Sequence, residues 1–464
     1  MTVLETDVLE TDVAVAGAGP AGLAAALAAA DLGAEVVLVD AGPAIGGQIY
    51  RQPATASAAA VTPVGPKLPA RLRRVTSHPR IHFLAGRPVW QAVRGGTGFT
   101  LWLATGEQVW ARAVVVATGA SEIVLPFPGW ELPGVTTAGA AQALLKGQGV
   151  VAGRRVLVAG SGPLLLPAAA GLAEARVDVV AVLEASPVTA ATLTKAARLA
   201  PFISKAGEAA AYARILARHR VPVRAGRAVI AAHGDDQVTG ATVSRVDRDW
   251  RPIPGTARRV AVDAVHASFG FSPALELTRA LGCADLPQPG RPAAAVWCDG
   301  DQATSVPGVF AAGETTGVAG SEVAELEGYV AGAAAARTLG SGPPDLGPLR
   351  AALVRARRFA RGLDELYRWR SGCREWPEAD TIVCRCEEVP WAAIDAAVAA
   401  GARDVRAVKG VTRCGMGYCQ GRVCGPAVQQ AVAAATGRGL AAVGDLGFRP
   451  LLTPVPLGTI AGSA

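Results

Sequence analysis

The sequence predicts an α/β protein with two doubly wound units, one inserted in the other, followed by a small helical domain rich in cysteine. The first observation is a repeat: residues 13–20 and 156–163 each form an apolar strand that runs into a glycine turn and an Ala/Leu-rich helix. Strand–turn–helix units of this kind build doubly wound sheets. The second observation is that five of the eight cysteines lie between Cys384 and Cys424.

Length and composition predict a soluble protein of several domains. A chain of 464 residues is longer than one hydrophobic core usually supports. Although 51% of the residues are hydrophobic, no uncharged apolar run approaches the roughly 18 to 20 residues that a transmembrane helix requires. The acidic N-terminus lacks the basic and apolar regions of a secretory signal. The expected location is therefore the cytoplasm.

The charge balance argues against nucleic acid as a partner. The chain has 45 basic and 38 acidic residues, a net charge of +7. This excess is modest for such a length, and aromatic residues are not interleaved with the basic ones. A cytoplasmic protein rarely uses cysteines for a disulfide framework, so the clustered cysteines predict a metal site.

Composition also predicts the domain boundaries. The first nucleotide domain is expected over residues 10–150 and 268–340, because glycine-rich turns return after the short strands of residues 224–267. The inserted domain then spans residues 151–267. Pro/Gly punctuation at residues 340–348 ends this body, and a linker helix (341–378), a cysteine-rich domain (379–440) and a proline-rich tail (441–464) complete the chain. Residues 4–8 are repeated as residues 9–13, and only the second copy can lead into the first strand.

The first glycine turn carries a complete dinucleotide fingerprint. Gly17, Gly19 and Gly22 follow an apolar strand, Pro20 opens the helix, and Asp40 ends the next strand. In such a turn the first glycine permits the tight bend, the second lets the backbone approach a pyrophosphate, and the third lets helix and strand pack closely. The acid binds the adenosine ribose. The pattern therefore predicts a dinucleotide site.

Residues 10–338 resemble the two-dinucleotide-domain flavoproteins, the superfamily of glutathione and thioredoxin reductases. The segments that carry the resemblance are Gly46-Gly47-Gln48, residues 116–119 and residues 304–314. The resemblance implies a glutathione-reductase-like fold and FAD as the dinucleotide. It also implies that FAD contacts Gly47 and Gln48, the Val89 backbone at the adenine, and Thr118 and Gly119. Gly313 and Glu314 would contact FAD at the ribityl chain.

The second glycine turn departs from the fingerprint. Gly160, Gly162 and Glu184 match it, but Leu165 replaces the third glycine. In the superfamily this domain takes NAD(P)H, and Glu184 would favour NAD over NADP. Three alternatives stay open, namely NAD, another adenine nucleotide such as ATP, and a scaffold that has lost its ligand.

The sequence lacks the usual catalytic groups of disulfide reductases. No Cys-x2-Cys or Cys-x4-Cys pair lies between the two fingerprints, so a dithiol relay cannot operate. None of the five histidines falls in a motif that would place it over a flavin. The chain is expected to move electrons without an acid–base pair of its own, and we assign it no catalytic residue.

The spacing of the clustered cysteines favours a [2Fe-2S] cluster. Cys384 and Cys386 are separated by one residue, and Cys419 and Cys424 lie in a glycine-rich loop. We expect the first two thiolates to face one iron and the second two to surround the other. Zinc modules favour knuckles of two to four intervening residues in both halves, so zinc is the less favoured alternative.

This region resembles the bacterioferritin-associated-ferredoxin type of [2Fe-2S] domain. The motif carried by residues 384–387 and 412–424 implies Cys384, Cys386, Cys419 and Cys424 as the ligands. Cys414 is a fifth candidate. The remaining cysteines, Cys283, Cys298 and Cys373, are expected to be inert thiols.

Nearly the whole chain resembles the larger, alpha-type subunit of heteromeric amino-acid dehydrogenases and oxidases, a group that includes opine oxidases, D-hydroxyproline and proline dehydrogenases and hydrogen cyanide synthase. Residues 46–53 and 158–167 carry this resemblance most specifically. It implies an FAD-dependent oxidoreductase acting on CH-NH or CH-NH2 donors as part of a complex.

The same resemblance implies a smaller beta-type subunit with its own flavin as the partner, and a further small subunit stays open. The chain would pass electrons from this partner through FAD and [2Fe-2S] to a quinone or another carrier. Interface FMN, found in some relatives, and peripheral attachment to the inner membrane stay open. The alternatives are a self-sufficient NADH-dependent FAD/[2Fe-2S] oxidoreductase and a structural subunit without redox change.

Overall fold

The computed structural model describes residues 8–54, 67–188, 203–288, 290–340, 342, 345–446 and 449–461. Most of the first pentapeptide copy and part of the Pro/Gly linker lie outside the described residues. Within the described ranges, no helix has both the length and the apolar character needed to cross a membrane.

The elements follow one another in four segments. The first contains β1 (Val8–Ala16), α1 (Pro20–Asp31), β2 (Val36–Val39), α2 (Ala70–Arg73), β3 (Ile81–Leu84), β4 (Val89–Gly95), β5 (Gly98–Leu103), β6 (Gln108–Val116) and β7 (Ala120–Glu122). The second contains β8 (Val135–Thr137), α3 (Ala138–Gln148), β9 (Arg155–Gly160), α4 (Leu165–Glu174), β10 (Asp178–Glu184), α5 (Ile203–Arg218), β11 (Val223–Ala225), β12 (Arg227–His233), β13 (Gly240–Arg245), β14 (Arg258–Val260) and β15 (Ala264–Ser268).

The third segment contains β16 (Phe271–Pro273), α6 (Glu276–Ala280), β17 (Asp285–Leu286), β18 (Ala295–Val296), β19 (Val309–Ala311) and α7 (Ser321–Thr338). The fourth contains α8 (Gly347–Leu366), β20 (Ile382–Cys384), β21 (Val389–Pro390), α9 (Trp391–Ala399), α10 (Val405–Thr412), α11 (Gly425–Thr436), α12 (Leu440–Val443) and α13 (Leu457–Ala461).

The first sheet has the strand order β3-β2-β1-β6-β5-β4, and β19 pairs with β6. Strands β1, β2, β3, β6 and β19 run parallel, whereas β4 and β5 form an antiparallel extension. All four residues of β2 are buried, as expected for a parallel strand covered on both faces. The pairing of β19 with β6 confirms that the chain returns to this sheet after the inserted domain.

Helices α1 and α7 pack very closely against each other. A Cβ atom at Gly328 would lie 2.1 Å from the carbonyl oxygen of Ala21, and one at Gly332 would lie 2.1 Å from that of Ala25. Only glycine fits at such distances. The close contact fixes the helix that follows the first glycine turn.

The second sheet is parallel, with the order β11-β10-β9-β15-β8, and β12, β13 and β14 form a separate antiparallel sheet. Strand β8 pairs with β15 through Val135 and Val265. The inserted domain therefore includes residues well before the predicted boundary at residue 150. The difference arises because a three-residue strand such as β8 shows no periodicity that sequence analysis can detect.

The C-terminal domain has its own core and is docked on the second domain. The Trp130 indole N–H donates to the carbonyl oxygen of Ile382 at 2.5 Å, and the Arg385 guanidinium lies 5.1 Å above the Trp130 ring. The Trp376 indole N–H donates to the Trp250 carbonyl oxygen at 2.9 Å. Indole contacts of this kind combine apolar burial with a satisfied donor, so the domain is held at a defined place.

The proline-rich tail crosses from this domain to the first one. Leu452 is buried in the core on the first sheet, and its N–H donates to the carbonyl oxygen of Trp90 at 2.9 Å. Arg422 donates to the carbonyl oxygen of Leu452 at 2.8 Å and forms an ion pair with Glu276 at 2.7 Å. The tail thereby links the cysteine loop to the first domain.

Candidate cofactor and metal site

The first glycine turn is shaped as the fingerprint predicts. A Cβ atom at Gly22 would lie 1.6 Å from the Gly17 carbonyl oxygen, so the helix can approach the turn only with glycine there. The Asp40 carboxylate accepts the N–H of Ala18 at 2.5 Å and that of Gly42 at 2.6 Å. These bonds hold the acid at the end of β2, beside the N-terminus of α1.

A large cleft of about 2050 Å³, which we call the nucleotide cleft, opens at this turn. It brings together residues from three distant parts of the chain. The predicted FAD residues that line it are Gly17, Gly19, Pro20, Asp40, Gly47, Gln48, Val89, Thr118, Gly119, Gly313 and Glu314. Gly22, also in the described part of the chain, does not line the cleft. It lies beneath the turn, where the lack of a side chain lets the helix pack closely.

The loop at Gly313 and Glu314 is held by a buried carboxylate that sequence analysis missed. Glu327 of α7 is 2% exposed, and it accepts the Gly313 N–H at 2.8 Å and the Thr316 hydroxyl at 2.7 Å. The Arg357 guanidinium of α8 donates to it at 2.7 and 3.1 Å. Burial raises the pKa of Glu327, and Arg357 opposes that rise.

A second buried residue joins this loop to residues 118 and 119. The Thr315 hydroxyl is fully buried, lies 3.3 Å from that of Thr118 and accepts the Gly119 N–H at 3.2 Å. Glu314 faces the cleft, and burial raises the pKa of its carboxyl group. No local pattern in the sequence marks Thr315 or Glu327, since their roles depend on contacts between distant segments.

The residues present fit FAD. The cleft offers the N-terminus of α1 to a pyrophosphate and a fixed carboxylate to a ribose. A Cβ atom at Gly47 would lie 2.8 Å from the Cα of Gly19, so the two glycine loops form a cradle of bare backbone. Bound there, FAD would supply two-electron redox chemistry.

In the second glycine turn, the acidic residue of the motif is hydrogen-bonded to backbone N–H groups. The Glu184 carboxylate accepts the N–H of Gly162 at 3.0 Å and that of Ser186 at 2.8 Å, and burial raises the pKa of Glu184 to about 7. Of Gly160, Gly162 and Glu184, all in the described part of the chain, Gly162 alone borders the nucleotide cleft. Leu165 turns its side chain into the core and begins α4.

The clustered cysteines meet in two groups. The sulfur atoms of Cys384, Cys414 and Cys424 all lie within 4.8 Å of one another. The Cys386 thiol is hydrogen-bonded to the thiol and the backbone of Cys419. Each group therefore combines one thiol from residues 384–386 with thiols from residues 414–424. We expected instead that Cys384 would pair with Cys386, and Cys419 with Cys424. Loop geometry causes the difference, because the strand ending at Cys384 points that thiol inward and leaves Cys386 exposed.

Four of these cysteines line a small cavity of about 130 Å³, which we call the cysteine cavity. They are the four predicted ligands, Cys384, Cys386, Cys419 and Cys424. Cys414, also described, lies behind this cavity and is 0% exposed. Hydrogen bonds from Cys414 and Cys424 lower the pKa of the Cys384 thiol, and the same contacts raise the pKa of Cys414 and of Cys424.

The glycine-rich loop fits closely around the first two cysteines. A Cβ atom at Gly417 would lie 2.2 Å from the Cβ of Cys386, and the N–H of Gly415 donates to the sulfur of Cys384 at 3.5 Å. Pro426 lies in the first turn of α11. An all-thiol donor set with a backbone N–H directed at sulfur fits a [2Fe-2S] cluster, which would supply one-electron chemistry.

The other three cysteines neither line the cysteine cavity nor belong to the group of three sulfur atoms. Burial raises the pKa of Cys298 and of Cys373 to about 12, and it also raises the pKa of Cys283. A raised pKa lowers the fraction of reactive thiolate. That these three thiols are inert remains a prediction.

The nucleotide cleft and the cysteine cavity share a thin wall. Ile123, Ser268 and Arg422 line the cleft, and the residues next to them in the chain, Val124, Ala267 and Val423, line the cavity. Consecutive Cα atoms are about 3.8 Å apart. At these places the wall is therefore one backbone thick.

Two families match the chain. Residues 11–338 match the pyridine nucleotide-disulphide oxidoreductase family, and residues 379–463 match the sarcosine oxidase A3 domain. The A subunit of opine oxidase from Agrobacterium tumefaciens is 34% identical over 93% of this chain and 88% of its own length. Hydrogen cyanide synthase subunit HcnB of Pseudomonas aeruginosa is 32% identical over 91% of this chain and 92% of its own.

A solved structure of L-proline dehydrogenase from P. horikoshii has the same fold. It covers 98% of this chain and 80% of its own length, with a TM-score of 0.69 at 18% identity.

The fold, the site and the relatives define a flavin-dependent oxidoreductase. The chain belongs to the pyridine nucleotide-disulphide oxidoreductase family, in the group that includes HcnB and the A subunit of opine oxidase. The predicted fold class and family resemblance are confirmed.

Proposed function

We propose that this chain is the electron-transferring subunit of a heteromeric amino-acid dehydrogenase or oxidase. It receives electrons from a smaller partner subunit with its own flavin and passes them through FAD and a [2Fe-2S] cluster to a quinone or protein carrier. The substrate class is that of opines, hydroxyproline, proline or glycine. The relatives support this role, because they are named as subunits of opine oxidase and hydrogen cyanide synthase.

The observation that carries the proposal is the thin wall between the nucleotide cleft and the cysteine cavity. Electron transfer slows steeply with distance, so a single backbone layer between two cofactor sites favours exchange between them. The wall is apolar at Ile123, Val124 and Ala267 and polar at Ser268 and Arg422. A subunit that holds a two-electron flavin beside a one-electron cluster converts electron pairs into single electrons.

The residues of the two sites have distinct tasks in this proposal. Asp40 orients the ribose end of FAD, and Gly17 and Gly19 let the backbone approach its pyrophosphate. Glu314 lies where the ribityl chain would pass. Cys384, Cys386, Cys419 and Cys424 hold the cluster, with Cys386 on its exposed side.

The composition of the cleft supports a partner subunit as the site of the substrate chemistry. Among the described residues that line the nucleotide cleft there is neither a cysteine nor a histidine. A relay of thiols or a histidine base therefore does not face the flavin from these residues. The bond between carbon and nitrogen would be oxidised on the partner subunit.

The test is a stopped-flow comparison on the complex, with Cys419→Ala as the variant and Cys298→Ala as the control. The partner subunit is co-expressed, and a panel of proline, hydroxyproline, glycine and opines identifies the substrate. Cys419→Ala should leave flavin reduction by substrate unchanged and slow flavin reoxidation at least tenfold, about 1.4 kcal/mol in barrier height. The control should leave both rates unchanged. Equal loss of both rates in Cys419→Ala, or steady amino-acid oxidation by the isolated chain, would refute the proposal.

A second candidate function is a self-sufficient NADH-dependent oxidoreductase. It is favoured by one observation, namely that Gly162 of the second glycine turn borders the same cleft as the FAD residues. The bond from the Gly162 N–H to Glu184 weighs against it, because a pyrophosphate would have to displace this carboxylate. Anaerobic mixing with NADH separates the two functions, since rapid bleaching of the flavin is expected only for the second.

A further inference from the structure

We propose that Cys414 is a reserve ligand that occupies the position of Cys424 when that thiolate is lost. The inference rests on the proposed function only for the presence of the [2Fe-2S] cluster. It starts from an excess of thiols: such a cluster takes four thiolates, two on each iron, whereas five described cysteines meet at this site.

The contacts among the five thiols divide them into a group of two and a group of three. Cys386 and Cys419 contact each other and can complete one iron. Cys384 contacts both Cys414 and Cys424, and all three sulfur atoms lie within 4.8 Å of one another. The second iron needs two of these three. Cys414 and Cys424 therefore compete for one position beside Cys384.

Access to the cysteine cavity decides which of the two is the resting ligand, because Cys414 and Cys424 are both almost fully buried. Cys424 lines the cysteine cavity together with the other three predicted ligands. Cys414 lies directly behind it, fully buried, and its N–H donates to the Thr412 hydroxyl at 3.2 Å. Cys424 is therefore the ligand in the undisturbed protein, and Cys414 is held in sulfur contact with the site without entering it.

The two iron positions should respond differently to the loss of a thiol. Removal of Cys424 leaves Cys384 with a second thiol already in contact. Removal of Cys386 leaves Cys419 without a substitute among the described cysteines, because the three remaining thiols of the site form the other group. The structure thus predicts opposite outcomes for two variants that each delete one ligand.

The experiment measures iron, acid-labile sulfide and the electron paramagnetic resonance spectrum of the reduced full-length protein after anaerobic reconstitution. The variants are Cys424→Ala, Cys386→Ala, Cys414→Ala and the double variant Cys414→Ala/Cys424→Ala. Alanine is chosen because it cannot bind iron. Cys424→Ala should keep at least half of the wild-type iron with a changed resonance spectrum. Cys414→Ala should match wild type, and the other two variants should be nearly free of iron.

Three results would overturn the inference. They are a Cys424→Ala variant as empty as Cys386→Ala, a double variant as full as Cys424→Ala, and loss of the cluster from Cys414→Ala. A wild-type chain without iron and sulfide contradicts the proposed function as well, whereas a wild-type cluster lost in Cys424→Ala contradicts this inference alone.

Bound flavin and circular dichroism check that each variant folds. Should Cys424→Ala not fold, the near-isosteric Cys424→Ser replaces it. Takeover by Cys414 then gives a visible spectrum typical of four thiolates. A blue-shifted spectrum that is the same with and without Cys414 would overturn the inference.

Discussion

Removal of the Glu327 carboxylate should displace the loop at Gly313 and weaken FAD binding. Glu327→Ala deletes the acceptor of four hydrogen bonds, two from Arg357 and one each from Gly313 and Thr316. Breaking a buried ion pair typically costs about 3–5 kcal/mol. The Arg357 side chain is 38% exposed and can regain water, so we place the loss in folding stability near the lower end, about 3 kcal/mol.

The same change should act on the cofactor through the Gly313 backbone. Its N–H is left buried without an acceptor, which costs about 1–3 kcal/mol unless the loop moves. A displaced loop no longer presents Glu314 to the nucleotide cleft. We therefore expect FAD to bind at least tenfold more weakly, about 1.4 kcal/mol.

Glu325 of the same helix provides the matched control. The Glu325 side chain is itself only 9% exposed, but its partner Arg71 is 62% exposed and can regain water, so its loss should cost less than that of Glu327. Urea unfolding followed by circular dichroism measures stability, and quenching of flavin fluorescence measures FAD affinity. The reasoning is refuted if Glu325→Ala lowers the urea midpoint as much as Glu327→Ala, or if FAD affinity is unchanged in Glu327→Ala.

Three further predictions concern packing and pH. Gly328→Ala places a Cβ 2.1 Å from the Ala21 carbonyl oxygen, which should lower stability by about 1–3 kcal/mol and speed the loss of FAD. Gly417→Ala places a Cβ 2.2 Å from that of Cys386 and should lower iron and sulfide content while FAD is retained. Burial holds the pKa of His266 near 4, against 6.5 ordinarily. Below about pH 6.5 this histidine is therefore protonated in the unfolded chain but stays neutral in the folded chain. The free energy of unfolding should fall by about 3 kcal/mol between pH 6.5 and 4. His266→Gln should remove this loss.

Matched controls separate these effects from general damage. Gly300 has open space around its Cα, so Gly300→Ala should leave stability, flavin and iron unchanged. His82 is exposed, and His82→Gln serves as the histidine-replacement control for His266→Gln. If either control behaved as its test variant does, the packing or titration argument would be wrong.

The parts of the site that sequence analysis predicted are local in the chain. The turn at Gly17, Gly19 and Gly22 lies within a few residues, and Asp40 ends the next strand of the same unit. Spacing alone therefore places them, and the structure brings these residues together as the fingerprint predicts. The four predicted cluster ligands likewise line one cavity, although their identity as ligands remains a prediction.

The parts that sequence analysis could not predict depend on distant contacts. Glu327 lies in an alanine-rich helix and looks like any helical glutamate until Arg357 and the Gly313 loop are packed against it. The grouping of the thiols depends on how α10 returns the chain to Cys414, which spacing does not reveal. Strand β8 is too short for its pattern to be recognised and gains its place only by pairing with β15.

The discontinuous first domain has a consequence for the order of folding. Gly119 and Thr315, which are hydrogen-bonded beside the flavin site, are 196 residues apart in the chain. A nascent chain leaving the ribosome therefore carries the first glycine turn long before the strand and helix that complete its sheet. Such distant contacts form slowly, and unpaired strand edges are prone to aggregate meanwhile. Flavin supply and chaperones would matter most during this interval, when the inserted domain can already fold and the first domain cannot.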